Sequence, residues 1–201
     1  MSTTANVPPS ARARIAVVRA IGGAAREVED VLALYLDDEL PDVREAAALA
    51  IAARGPARLG PRLLAQIGRE PEPSVRSALY MALAEQVGFD VRAATDLACA
   101  ESNVATRLAG FAALAAEAAR HPAAAAIFDY EVVPELATRV LGEDDRKNAL
   151  AAVSILAFAM TIASRRTLRT VARRIEGDVG AAARAALAPR NKRPGAPFHA
   201  H

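Results

Sequence analysis

Apolar residues recur along this chain at helical spacing, and one charged residue recurs with them. In "LPDVREAAALAIAARG", Leu40 to Gly55, a turn and an acid lead into Arg44, and a run of small and aliphatic residues follows. Taking Arg44 as origin, the same pattern returns around Arg14, Arg76, Arg107 and Arg146, at intervals of 30, 32, 31 and 39 residues. Six positions after each arginine stands an alanine: Ala20, Ala50, Ala82, Ala113 and Ala152. Seven positions after stand Ile21, Ile51, Leu83, Leu114 and Val153, and four after stand Val18, Ala48, Tyr80, Phe111 and Leu150. Positions three, four and seven beyond a common origin share one face of a helix. The pattern therefore predicts a helix with a buried stripe that recurs about every thirty residues.

Other helices are expected between these, at Ala25 to Leu36, Gly60 to Gly68, Asp90 to Ala100, Pro134 to Leu141 and Thr167 to Ile175. Short acidic or proline-bearing turns separate them from the arginine helices: "DDELPD", "REPEP", "ESN" and "GEDD". A helix–turn–helix unit of this size cannot bury its apolar face alone, and stacking the units buries a continuous core. Composition agrees. Alanine fills 51 of 201 positions and aromatics only 4%, with no Trp, while no segment alternates with period two. The expected fold is all-α, a right-handed α-solenoid of about five helix pairs. The repeat domain is expected over 10–188, between a flexible tail at 1–9 and a flexible basic tail at 189–201.

The residues at this point resemble a family. "LPDVREAAALAIAARG" and "EPSVRSALYMALAEQVG" are similar to HEAT repeats, whose second helix opens on a proline, an acid, a valine and an arginine. "VVPELATRVLGEDDRKNALAAVSILAFA" also looks like the related armadillo unit. The resemblance runs from about Ser10 to Ala188 and implies architecture rather than chemistry. The last unit, "RRTLRTVARRIEGDVGAAARAALAPR", departs from the pattern and reads as a cap, and Ser10 to Gly22 reads as a second helix without its first.

That resemblance implies a structural ladder for Arg44, Arg76, Arg107 and Arg146, each pairing with turn acids of its own or a neighbouring unit. The acids at hand are Asp37, Asp38, Asp42, Glu70, Glu72, Glu101, Glu143 and Asp144. Bidentate guanidinium–carboxylate bonds are the strong kind. The competing reading gives these arginines to a ligand.

Chemistry is sparse. His121 precedes a proline and reads as an exposed turn residue, while His199 and His201 form a His-x-His in the tail, short of the four ligands of structural zinc. No histidine is followed by a glutamate, so the likeness to iron-dependent HEAT-repeat hydroxylases stops at the fold. The HEAT-like alkylpurine DNA glycosylases use an aromatic-lined basic groove, and here Tyr35, Tyr80 and Tyr130 are scattered, which supports base stacking poorly. Bilin-lyase-type HEAT proteins share the repeat design, but no residue marks a pigment pocket. "IGGAAR" lacks the spacing of a phosphate loop. Cys99 is the sole cysteine, expected to be small and buried, and its solitude fits a reducing cytoplasm. No apolar run reaches the length of a membrane span, and the start of the sequence lacks the pattern of a secretory signal. No metal or cofactor is expected.

Charge singles out one region. The net charge is +2, yet residues 164–193 hold nine basic residues against two acidic ones. Placing Leu168, Val171, Ala172 and Ile175 inward turns Arg165, Arg166, Arg169, Arg173 and Arg174 outward. This patch suits a nucleic acid, an acidic protein partner, or simply the solvated cap of the last repeat. A second candidate surface is the column one and five residues after each arginine: Glu45 and Leu49, Ser77 and Met81, Leu108 and Ala112, Lys147 and Ala151. It reads as a groove for a partner helix or peptide, or as packing between repeats. The insertion at 121–131 lengthens one interval, and Phe128, Tyr130, Val132 and Val133 near it are either an exposed anchor or a lid over the core. The expectation is a non-catalytic scaffold or adaptor for another protein. Nucleic-acid binding through the basic helix and tail is the runner-up, and a glycosylase-type enzyme comes third.

Overall fold

A computed structural model of the chain describes residues 9–23, 28–55, 58–142 and 145–188. The tail sequences, Lys192 and Arg193, His199 and His201, and the turn acids Glu143 and Asp144 lie outside the described residues. Every regular element among those described is helical. They fall into two compact units, one ending at Glu117 and the other starting at Ala118.

The first unit opens with α1 (Pro9–Gly22) and α2 (Glu29–Leu34), the latter extended by a 3₁₀ turn over Tyr35–Asp37. It continues with α3 (Pro41–Arg54), α4 (Gly60–Arg69), α5 (Pro73–Ala84) and α6 (Val91–Ala100). It closes in α7 (Val104–Arg120), which runs past the unit boundary. Proline in the first turn starts α3, α4 and α5, where its fixed φ suits a helix and its missing N–H costs no bond. Gly55 ends α3 at φ 84°, a conformation open to glycine at little cost. Asp90 caps α6 by accepting from the Ala93 N–H at 3.0 Å.

Two layers result. The arginine-bearing helices α1, α3 and α5 pack side by side, while α2 packs on α3 and α4 on α5 and α6. The column four residues after the arginines supplies Val18, Ala48, Tyr80 and Phe111, all wholly buried. The column seven after supplies Ile51, Leu83 and Leu114, also buried. The alanine column is less uniform: Ala82 and Ala113 are buried, Ala50 is half-buried and Ala20 exposed. Small residues let the layers close. A Cβ on Gly110 of α7 would stand 2.7 Å from the Cβ of Ala98 and 3.2 Å from the Tyr80 ring.

The second unit holds α8 (Pro122–Ile127), one π-helical turn over Phe128–Val132, α9 (Val133–Gly142), α10 (Arg146–Ala159), α11 (Ile162–Arg174) and α12 (Gly177–Leu187). Here α10 packs on α9, α11 and α12, and α11 on α12. Asp145 caps α10 through the Lys147 and Asn148 N–H groups at 2.9 and 3.2 Å. Thr161 caps α11 through the Ser164 N–H at 3.2 Å, so this helix begins five residues before the expected Thr167.

The insertion resolves into α8 and the π turn. Phe128, Val132 and Val133 are buried and Tyr130 is 82% exposed, so one side chain of the four faces solvent. Cys99 is a correction. It is exposed, because α6 buries Ala94, Thr95 and Ala98 and the next position turns away from that face.

Candidate functional site

The ladder arginines of the first unit sit near the start of their helices, and the side chains of Arg44 and Arg76 reach the turn of the following repeat within that unit. The Arg44 guanidinium donates from Nε and Nη2 to both Glu70 carboxylate oxygens at 2.7 Å. Its Nη1 donates to the backbone carbonyls of Asp38 at 2.8 Å and Glu39 at 3.1 Å. Arg76 repeats the arrangement, with Glu101 at 2.7 and 2.9 Å and the carbonyls of Glu70 and Pro71 at 2.9 and 2.8 Å. Arg14 meets the Asp38 carboxylate at 3.1 Å and also reaches Glu39. Arg107 donates to the Glu101 carbonyl at 2.8 Å.

One column of acids carries this chain of bonds. Asp38, Glu70 and Glu101 each lie six residues before a ladder arginine. Each accepts the preceding arginine on its carboxylate and the following one on its carbonyl. The pairs are nearly dry: the Arg44 and Glu70 side chains are 12% and 1% exposed, and those of Arg76 and Glu101 are 16% and 6%. Burial works against a charged Glu70, but the Arg44 bonds, the Glu72 N–H and Gln66 outweigh it and hold its carboxyl below the usual range. The Glu101 and Glu70 bonds likewise raise the pKa of Arg76 and Arg44 against the cost of burial. In Arg44 and Arg76 all three guanidinium nitrogens are thereby engaged with carboxylate or carbonyl oxygens. The column is legible in the sequence as an acid six residues before Arg44, Arg76 and Arg107, a spacing that the turn acids as a set do not single out.

Asp37, another acid in that set, turns elsewhere and accepts from Arg62 at 2.9 Å and from Arg69. Arg146, in the second unit, has Val140 six residues before it instead of an acid. It reaches Asp178, which was not among the expected partners, in a pair whose side chains are 73% and 39% exposed.

The groove column divides. Leu49 and Met81 are exposed at 40% and 52%, and Ala112 is exposed as well. These three occupy the fifth position after the arginine on α3, α5 and α7. The position one after is different in kind. Leu108 is buried, Glu45 is half-buried, and the Ser77 hydroxyl lies at hydrogen-bond distance from the Pro73 carbonyl, 2.9 Å, and from the Thr106 hydroxyl, 3.0 Å, which ties α5 to α7. In the second unit Lys147 is exposed and Ala151 half-buried.

The basic helix α11 buries Leu168 and Val171, half-buries Ala172 and Ile175, and exposes Arg165, Arg166, Arg169, Arg173 and Arg174. It contains no acid. Among the described residues no ion pair joins Arg165, Arg166, Arg169 or Arg174 to a carboxylate. His121 is an exposed residue before α8. No group of three metal-ligating side chains occurs among the described residues, and no described helix is long and apolar enough to cross a membrane.

The comparisons fit the first unit's geometry. The family model for HEAT repeats matches residues 6–84, the span of α1 to α5 that holds Arg14, Arg44 and Arg76. No curated protein and no solved structure matches the chain.

Proposed function

We propose that this chain, built of HEAT-like repeats, is a non-catalytic docking scaffold whose first unit receives another protein on the row Leu49, Met81 and Ala112. HEAT repeats generally serve as protein-interaction scaffolds and are typically non-catalytic. One observation carries the reading for this chain. Arg44 and Arg76 are turned inward against Glu70 and Glu101, while the fifth position stays apolar or small and exposed on three successive arginine helices. A row of apolar side chains at repeat spacing suits a partner helix or an extended segment laid across the repeats.

The test is site-specific photo-crosslinking in nuclease-treated extract. A photoreactive side chain at Met81 is expected to capture protein, and one at Asp96, exposed on α6, is expected to capture none of the same adducts. Equal capture from both positions, or none from Met81, contradicts the reading.

A second reading has an observation of its own: five exposed arginines on an acid-free helix with no carboxylate partner among the described residues. Such a helix neutralises phosphates. Duplex DNA retention that falls steeply with salt, and is lost on replacing Arg165, Arg166 and Arg169, is the signature this reading requires.

A further inference from the structure

The second unit holds a cleft of about 750 Å³ where the end of α10, the start of α11 and the end of α12 meet. Its wall includes Ser154, Phe158, Met160, Arg165, Arg169 and Leu187. Three features set it apart. Phe158 is 57% exposed, a large apolar side chain left in water. Arg165 and Arg169 stand at its edge without a carboxylate partner among the described residues, unlike Arg44 and Arg76. Met160 is the single described residue other than glycine with a positive φ, at φ 49° and ψ 28°.

The Met160 conformation has a local cause and a cost. Its N–H bonds the Leu156 carbonyl at 3.1 Å and ends α10, and the next residue, Thr161, already caps α11. A side chain in the left-handed region costs roughly 1 kcal/mol. Glycine would relieve that cost but would leave the cleft without its thioether. Strained backbone of this kind concentrates where a binding surface is shaped.

We propose that this cleft binds an acidic segment of a partner protein through one bulky apolar side chain and two carboxylates. The apolar side chain seats against Phe158, Met160 and Leu187. The carboxylates meet Arg165 and Arg169, which are four residues apart on one helix face and so about 6 Å apart along the axis. That rise equals the separation of acids one turn apart on a partner helix. The surroundings favour a peptide over a nucleic acid. Phosphates would satisfy the arginines equally, but bases stack on aromatic platforms, and Phe158 is the single aromatic among the described residues of the wall. This face is separate from the row on the first unit, and either reading survives the loss of the other.

The experiment uses the full chain and a labelled amphipathic peptide with a central Leu and glutamates four residues apart. Controls are the same peptide with Gln for Glu, a polyglutamate peptide and an oligothymidine strand. The peptide is expected to bind and to lose about tenfold in affinity with Phe158→Ala and again with Arg169→Glu, the scale of one buried ring edge or one charge-assisted bond. Met81→Glu is expected to leave it unchanged. Absence of peptide binding, equal binding of polyglutamate, or binding of oligothymidine that needs Arg165 and Arg169 but not Phe158 overturns the proposal. Photo-crosslinking at Met81 that fails while cleft binding persists removes the first-unit reading alone.

Discussion

Arg76 and Arg146 carry the same sequence signature and live in different electrostatic worlds. Arg76, in the first unit, is sealed between two repeats and grips a buried Glu101 with two bonds while bracing the turn before its own helix. Arg146, in the second unit, reaches an exposed Asp178 through solvent-accessible atoms. The helix pattern after each arginine is the same, so the helix is not what makes the difference. The carboxylate that each reaches is: Arg76 meets the buried Glu101 of the following turn, and Arg146 the far more accessible Asp178. A repeat motif fixes the helix, and its partner column decides whether the charge becomes structural.

The sharpest way to break this contrast is Arg76→Ala. It strands a Glu101 carboxylate that is 6% exposed and frees two backbone carbonyls. Removing one partner of a buried pair typically costs about 3 kcal/mol, and urea unfolding should show a loss near that size. Unchanged stability would mean the ladder is decoration.

Next in size comes pH. Because the folded pKa of Glu70 lies below its unfolded value, the stability it contributes is full above about pH 4.3 and is lost as pH falls through the lower folded pKa. Stability of the parent chain should therefore drop more steeply below about pH 4 than that of Glu70→Gln, which has no proton to take up. Parallel profiles would place the acid sensitivity elsewhere.

Tyr80 tests the opposite sign within the same unit. Its side chain is wholly buried, its hydroxyl has no hydrogen-bond partner among the described residues, and burial holds the phenol neutral far above its usual range. Tyr80→Phe removes an unsatisfied group without opening a cavity, so a gain of about 1 kcal/mol is expected by thermal or urea unfolding. A clear loss would reveal a partner for the hydroxyl. The smallest effect belongs to Arg146→Ala, whose unfolding midpoint should match the parent's within error at moderate salt, because exposed pairs are screened.

Much of the fold was legible from the chain because burial stripes and arginines repeat in register. Val18, Tyr80, Phe111, Ile51, Leu83 and Leu114 came from periodicity alone and are core. What periodicity could not reach lies in side-chain direction and capping. Cys99 looked like a small core residue, but its neighbours Ala94, Thr95 and Ala98 set the buried face of α6 and leave it outside. Leu108 shared a column with Glu45 and Ser77 and is buried where α7 packs, since a column is a position on a helix and not on a surface. The start of α11 hid behind the cap at Thr161. The cleft was invisible in sequence because Phe158, Arg165 and Leu187 are brought together by the packing of α10, α11 and α12.

Arg44 and Arg76 join repeat to repeat through buried bidentate pairs, and Arg146 makes only an accessible one. A pair of double-mutant cycles measures this difference directly, one on Arg44 and Glu70 and the other on Arg146 and Asp178, each read by urea unfolding of the full chain. A coupling above about 1.5 kcal/mol is expected for the buried bidentate pair. A coupling indistinguishable from zero is expected for the exposed pair. Equal couplings in the two cycles would contradict that difference.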